Sequence, residues 1–223
     1  MAVNPTRRRG RRPQRGRKRP NSPRPRTARQ SERREAILAA ALEEFSARGF
    51  AATRLDDVAH RAGVAKGTIY LYFHDKENLF QELIRSQLSP VVGSLQAALG
   101  TDRSLREVAE QAAEVFLREI YGTRRKDVIR LVISEGPRFP QLAEFYYREV
   151  IARIIAALRP MLQRAVERGE LRAGAVIRFP QLLGAPGIIA IVWNALFGKI
   201  DPLDARAFVS AHLDLVFGER KAP

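Results

Sequence analysis

Between Leu55 and Phe73 the apolar residues fall at helical spacing in two blocks, each too short to stand alone, with Gly63 between them. Leu55, Val58, Ala59 and Ala62 make the first face; Ile69 and Phe73 make the second, over about 66–73. Two short helices joined by a glycine turn must borrow a core from their neighbours. Thr53 is placed to open the first as an N-cap, with Asp56 three residues on. Asp75 is placed to cap the helix that follows, through Leu79, Leu83 and Leu88, which Pro90 is expected to kink. The stretch before them puts Ile37, Leu38, Ala41, Leu42 and Phe45 on one stripe, opened by the pair Thr27 and Gln30 and ended by Gly49. That stripe supplies the missing core.

Downstream the pattern is helix after helix. One runs from Asp102 or Ser104 to about Tyr121, and another over 124–135 to the Gly136–Pro137 stop. A long one runs from Pro140 to about Arg168, kinked at Pro160 and ended by Gly169, before two more at about 175–197 and 203–217. No alternating β-branched run bounded by turn residues occurs, which predicts an all-α chain.

The charge is unevenly spread. The 39 Lys and Arg against 24 Asp and Glu leave +15, of which residues 1–30, with eleven Arg, Lys18 and no acid, carry +12. Residues 1–26 cannot bury enough apolar surface to offset ordering and are expected to form a disordered Arg/Pro-rich arm. No apolar core follows the basic start, so no secretory pattern is visible, and Pro5, Pro13, Pro20, Pro23 and Pro25 oppose the amphipathic helix of a transit leader. Leu182–Phe197 is too short for a bilayer and is interrupted by Pro186 and Asn194, so it reads as buried helix and no membrane contact is expected. The absence of cysteine removes disulfides and thiol chemistry and suits a cytoplasmic location. His60, His74 and His212 have neither metal nor triad spacing, so no catalytic residue, metal or cofactor is expected and the chain does not read as an enzyme.

Lys66, Gly67 and Thr68 stand at the start of the second short helix, where free N–H groups and the helix dipole favour phosphate. Once Ile69 and Phe73 face inward, Thr68, Tyr70, Leu71 and Tyr72 are left outward, unless the tyrosines pack on neighbouring helices. The run GFAAT at 49–53 together with VAKGTIYLYFHDKENLF at 64–80 resembles the DNA-binding domain of the TetR family of repressors, over about residues 31–80. The resemblance implies that Thr53, Arg54, Tyr72 and Lys76 hold phosphates, while Lys66, Gly67, Thr68 and Tyr70, with Leu71 beside them, meet the major groove. One departure is Ala65, where the family commonly has a Ser N-cap, worth about 0.5–2 kcal/mol of local stability. In the arm, RGRKRP at 15–20 resembles the core of AT-hook arms, making Arg15 and Arg17 further candidate DNA contacts. Minor-groove reading, phosphate attraction and a solvated tail all remain open for it.

The implied architecture is a three-helix helix-turn-helix head over 27–80 joined to a larger helical effector-binding and dimerisation domain over 81–218. Candidate pocket residues are the aromatics Phe116, Tyr121, Phe139, Tyr146 and Trp193, with Arg130, Glu135 and Asn194 as polar anchors; core packing is the competing account of each aromatic. Ile189, Val192, Leu196, Phe208, Leu213 and Val216 are candidates for a twofold four-helix interface, against burial within one chain. The expected function is a homodimeric, sequence-specific transcriptional repressor on double-stranded DNA with a palindromic operator, released by a small apolar or aromatic effector. The alternative is an effector-independent or architectural DNA-binding protein that uses arm and head together.

Deleting residues 1–26 should weaken DNA binding chiefly by flattening the slope of log affinity against log salt, since each neutralised phosphate releases counterion. An unchanged slope means that the arm touches no phosphate.

Overall fold

A computed structural model describes Met1, residues 26–171 and residues 174–218, and among these every regular element is helical. Helix α1 spans Arg26–Ala52 and buries the stripe from Ile37 to Phe45. Gly49 leaves the helical conformation near its end (φ 75°, ψ 171°), and Phe50 turns back into the core. Helix α2 is Leu55–Arg61, with Arg54 and not Thr53 at its N-cap. Thr53 is 1% exposed and donates its hydroxyl to the Gly49 carbonyl at 2.8 Å. Near the break at Gly49 the hydroxyl is thus spent on that carbonyl instead of on the N–H groups of α2.

After the turn at Gly63 (φ 66°), α3 covers only Lys66–Tyr70. Residues 71–73 complete the turn, Phe73 donating its amide to the Ile69 carbonyl at 2.9 Å, so that Ile69 and Phe73 are buried together. Helix α4, Lys76–Leu99, is capped by Asp75, whose carboxylate accepts from the Asn78 amide at 2.7 Å, and it continues through Pro90 as one element.

Helix α5, Leu105–Val115, opens with a capping box formed by Ser104 and Glu107 and widens into a π turn at Phe116–Tyr121. Helix α6 is Arg125–Glu135. The long helix expected from Pro140 is α7 (Pro140–Tyr146), a second π turn (Tyr147–Ile151) and α8 (Ala152–Glu167) in succession. The helix expected over 175–197 is divided into α9 (Ala175–Arg178), a 3₁₀ turn (Pro180–Leu183) and α10 (Ala185–Leu196). Pro180 removes an amide donor and holds Phe179 away from helical geometry (φ −129°, ψ 75°), which is why the helix stops there. Helix α11, Ala205–Phe217, is capped by Asp204.

One apolar cluster runs from head to body without a seam. It joins Phe45, Ile69 and Phe73 to Phe80 and Leu83 of α4, and onward to Val128, Leu131, Leu142 and Phe145. The Phe80 ring lies edge-on to Phe45 and Phe50, at 5.3 and 5.5 Å, and Phe139 meets Phe50 at 4.8 Å. Buried Glu44 takes Arg61 at 2.6 Å and Arg48 at 3.3 Å, tying α2 to α1, while Arg124 reaches Glu43 from the start of α6 at 2.7 Å. Two smaller clusters complete the body, one around Leu99, Leu105, Leu158 and Leu162, the other around Leu117, Ala190 and Ala205.

Ala65 occupies the α3 N-cap in extended geometry and offers no side-chain acceptor. Ala65→Ser should therefore strengthen hydrogen-exchange protection of the α3 amides by about 1 kcal/mol, and unaltered protection would count against the cap. At Gly49 an added Cβ would lie 2.6 Å from a Glu135 carboxylate oxygen, on top of the left-handed φ. Gly49→Ala is expected to lower stability by about 1–3 kcal/mol, because φ 75° with ψ 171° is a backbone region open essentially to glycine alone, while the flexible Glu135 carboxylate can swing aside. Adding Glu135→Ala to Gly49→Ala should therefore recover little of the loss, as thermal unfolding of the three variants will show.

Candidate nucleic-acid interface and apolar cavity

The head turns the ends of α2 and α3 to one surface. Lys66 opens α3, and its ammonium, paired with Asp56 at 2.8 Å, is held above the ordinary lysine range by that hydrogen bond and by the carboxylate charge. Gly67 is exposed beside it and Thr68 partly so, while Tyr70 and Leu71 are 49% and 82% exposed. An exposed tyrosine at the end of a five-residue helix and an exposed leucine at its C-cap form a surface able to reach into a groove. Arg54 is exposed at the α2 N-terminus.

Three other candidates sit differently. The Thr53 hydroxyl is spent on Gly49 and buried, so it shapes the α1–α2 corner instead of facing solvent. Tyr72 packs against the head core beside Phe73, with ring centroids 6.3 Å apart. Lys76 donates to the Ala51 carbonyl at 2.9 Å and lies over the Phe50 ring at 4.7 Å, closing the end of α1. Burial lowers the Lys76 pKa, opposed by the charge of Glu135. Arg15 and Arg17 lie outside the described residues.

In the body a cavity of about 560 Å³ opens among α4, α5, the two π turns, α8, α10 and α11. Its wall is aliphatic, with Leu88, Val92, Val108, Val150, Leu158 and Ile188 typical of it. Tyr146 and Gln181 bring the only polar side chains among the described lining residues, and no charged side chain lines it. Burial pushes the Tyr146 phenol up to about 12, so it stays neutral and able to donate.

Of the eight pocket candidates, only Phe116 and Tyr146 line this cavity. Tyr121 and Asn194 bond one another instead, the amide donating to the phenol oxygen at 2.7 Å and to the Leu203 carbonyl at 2.9 Å, because that loop carries backbone groups needing partners. Trp193 donates to the Asp201 carbonyl at 2.8 Å and stacks edgewise with Phe197. Phe139 and Glu135 belong to the head–body junction, against Phe50 and Gly49. Arg130 is exposed and pairs with Asp127 at 3.5 Å. The aliphatic lining escaped the sequence reading because its residue types are those of any core.

Of the interface candidates, Ile189 and Leu196 are exposed along α10, and Val192, Phe208 and Val216 are partly covered. Leu213 is buried within its own chain, where it lines the cavity. Phe197, Ile200 and Leu215, outside the candidate set, are exposed on the same two helices and the turn between them. The stretch Leu182–Phe197, expected as buried helix, thus keeps an exposed apolar face, and no helix among the described residues is long and apolar enough to cross a membrane.

Comparison with known proteins places head and body together. A family model described as bacterial regulatory proteins of the tetR family matches residues 37–83, and one described as the tetracyclin repressor-like C-terminal domain matches residues 100–212. The chain is 29% identical over 140 residues to the HTH-type transcriptional regulator SrpR of Pseudomonas putida, covering 63% of this chain and 64% of that protein. It is 32% identical over 148 residues to the HTH-type transcriptional repressor BepR of Brucella suis, covering 63% and 69%. The match thus spans less than two thirds of SrpR and slightly more of BepR. In fold it is similar to the Bacillus subtilis regulator FadR in complex with stearoyl-CoA, with a TM-score of 0.68 at 20% identity over 83% of this chain and 99% of that one. A helix-turn-helix head and a helical body, both matched in sequence, identify this chain as a member of the TetR family of DNA-binding transcriptional regulators.

Proposed function

We propose that this protein is a homodimeric transcriptional repressor, working in the cytoplasm, that leaves its operator when a largely hydrocarbon, uncharged ligand fills the body cavity. The cavity itself carries the proposal: about 560 Å³ of space walled by aliphatic side chains, beside the core that holds the DNA-binding head. A void of that size costs packing energy when empty, so an apolar occupant gains much of what the fold forgoes. The lining has nothing to pair with a buried charge, which excludes an ionic group from the cavity interior, while Tyr146 and Gln181 suit a hydroxyl or carbonyl. FadR, whose fold is similar, binds stearoyl-CoA, and BepR is a repressor; both support the reading by analogy.

In this reading residues 27–80 act as the head and 81–218 as the body. Lys66, Gly67, Thr68, Tyr70 and Leu71 face the major groove, and Arg54 and Lys76 the flanking phosphates, with the arm adding charge. The exposed apolar faces of α10 and α11 meet their copies across a twofold axis, which matches two heads to a palindromic operator. Helix α4 joins the two ends of the mechanism: Lys76 at its start borders the head, and Leu88 to Leu99 form cavity wall. A ligand that displaces that wall changes the tilt of α4 and with it the spacing of the heads.

Two measurements check this. Operator fragments selected from genomic DNA at controlled salt should lose about tenfold to a hundredfold in affinity with Lys66→Ala or Tyr70→Ala, at unchanged thermal stability. A saturating apolar ligand should weaken operator binding, and saturating operator should weaken ligand binding by the same factor. Ligand affinity indifferent to operator rules out the release mechanism.

A further inference from the structure

We infer that Phe116 and Gly187 together set the length of chain that the body cavity accepts, an inference resting on the effector reading above. Phe116 begins the π turn that follows α5, and its ring lines the cavity. Gly187 is buried in the first turn of α10, on the same wall. A Cβ on Gly187 would meet three ring atoms at 2.7 to 3.0 Å. The ring therefore rests on bare backbone and spans the gap between the π turn and α10. Gly187 is not among the glycines with positive φ, so what it provides there is room and not a special backbone conformation. Glycine inside a helix is otherwise unfavourable, which makes the ring contact the reason for it.

The two sides of the ring differ. Phe116 packs on one side against the cluster of Leu117, Ala190 and Ala205, all buried. On the other lies open volume. A side chain pressed from α10 cannot enter the packed cluster without strain, so it moves into the cavity. A shortened side chain leaves the cavity larger on that side by the space of a ring. Neither residue has a polar group, so the pair discriminates by size alone, and the ligand class it measures is an unbranched hydrocarbon chain with a neutral end.

The test uses the full chain and a homologous series of straight-chain 1-alkanols, with affinity followed by titration calorimetry. In the wild type, affinity should rise about fourfold per added methylene up to a cut-off length and then fall. Gly187→Ala should move the cut-off to shorter alkanols and Phe116→Ala to longer ones. The double variant should behave like Phe116→Ala, because the new Cβ then meets no ring. Phe116→Leu, a gentler change, should shift the cut-off in the same direction as Phe116→Ala and keeps the test sound if the alanine variant folds poorly. A clear wild-type cut-off that stays put in the variants, or moves the same way in Gly187→Ala and Phe116→Ala, overturns the gauge and leaves the effector reading intact. No saturable binding of any alkanol by the wild type overturns both.

Discussion

The contact on which the rest depends is the meeting of Phe45, Phe50 and Phe80, with Phe139 added from the body. Helices of seven and five residues, α2 and α3, lie far below the length at which a helix persists in water. They hold their form because Val58, Ala59, Ile69 and Phe73 are pressed into the core those rings organise. The same core continues into α6 and α7, so the surface proposed to meet DNA and the wall of the cavity stand on one packed body. Dense packing transmits displacement in place of absorbing it.

The two cations proposed to face DNA already have partners within the chain. Lys66 pairs with Asp56, and Lys76 closes the end of α1. The Lys66 pair is exposed, and exposed pairs contribute little, so a phosphate can replace Asp56 at small cost. Lys76 is more firmly committed, because it is half-buried over Phe50 and satisfies a carbonyl that would otherwise be left open.

Much of the head was legible in the sequence, because a 3.6-residue period, two glycine breaks and the Asp75 cap are local signals that tertiary context does not overrule. Thr53 does not cap α2, because its competing acceptor, the Gly49 carbonyl, is offered only where α1 breaks, a contact that no local pattern shows. The π turns at Phe116–Tyr121 and Tyr147–Ile151 were invisible, since no residue type marks an i→i+5 bond. In the body Tyr121, Trp193 and Phe139 stand away from the cavity, because their polar atoms or rings already have partners within the chain. A void cannot be read from composition, because Leu88 or Val150 beside empty space is the same residue as in a filled core.

The two π turns also have a bearing on how this chain tolerates change in length. Each holds one residue more per turn than an α-helix, so it is a place where the ladder has absorbed a single extra residue without losing its axis. Excising that residue would restore a regular ladder and leave the side chains after it facing much as they do now, because the wide turn has already taken up the rotation of about 100° that an extra residue otherwise imposes. A residue lost from the regular turns of α8 meets no such buffer, and a deletion just ahead of Leu158 would swing it by about 100° out of the cavity wall. The shape of the cavity is thus written in chain length as much as in residue type.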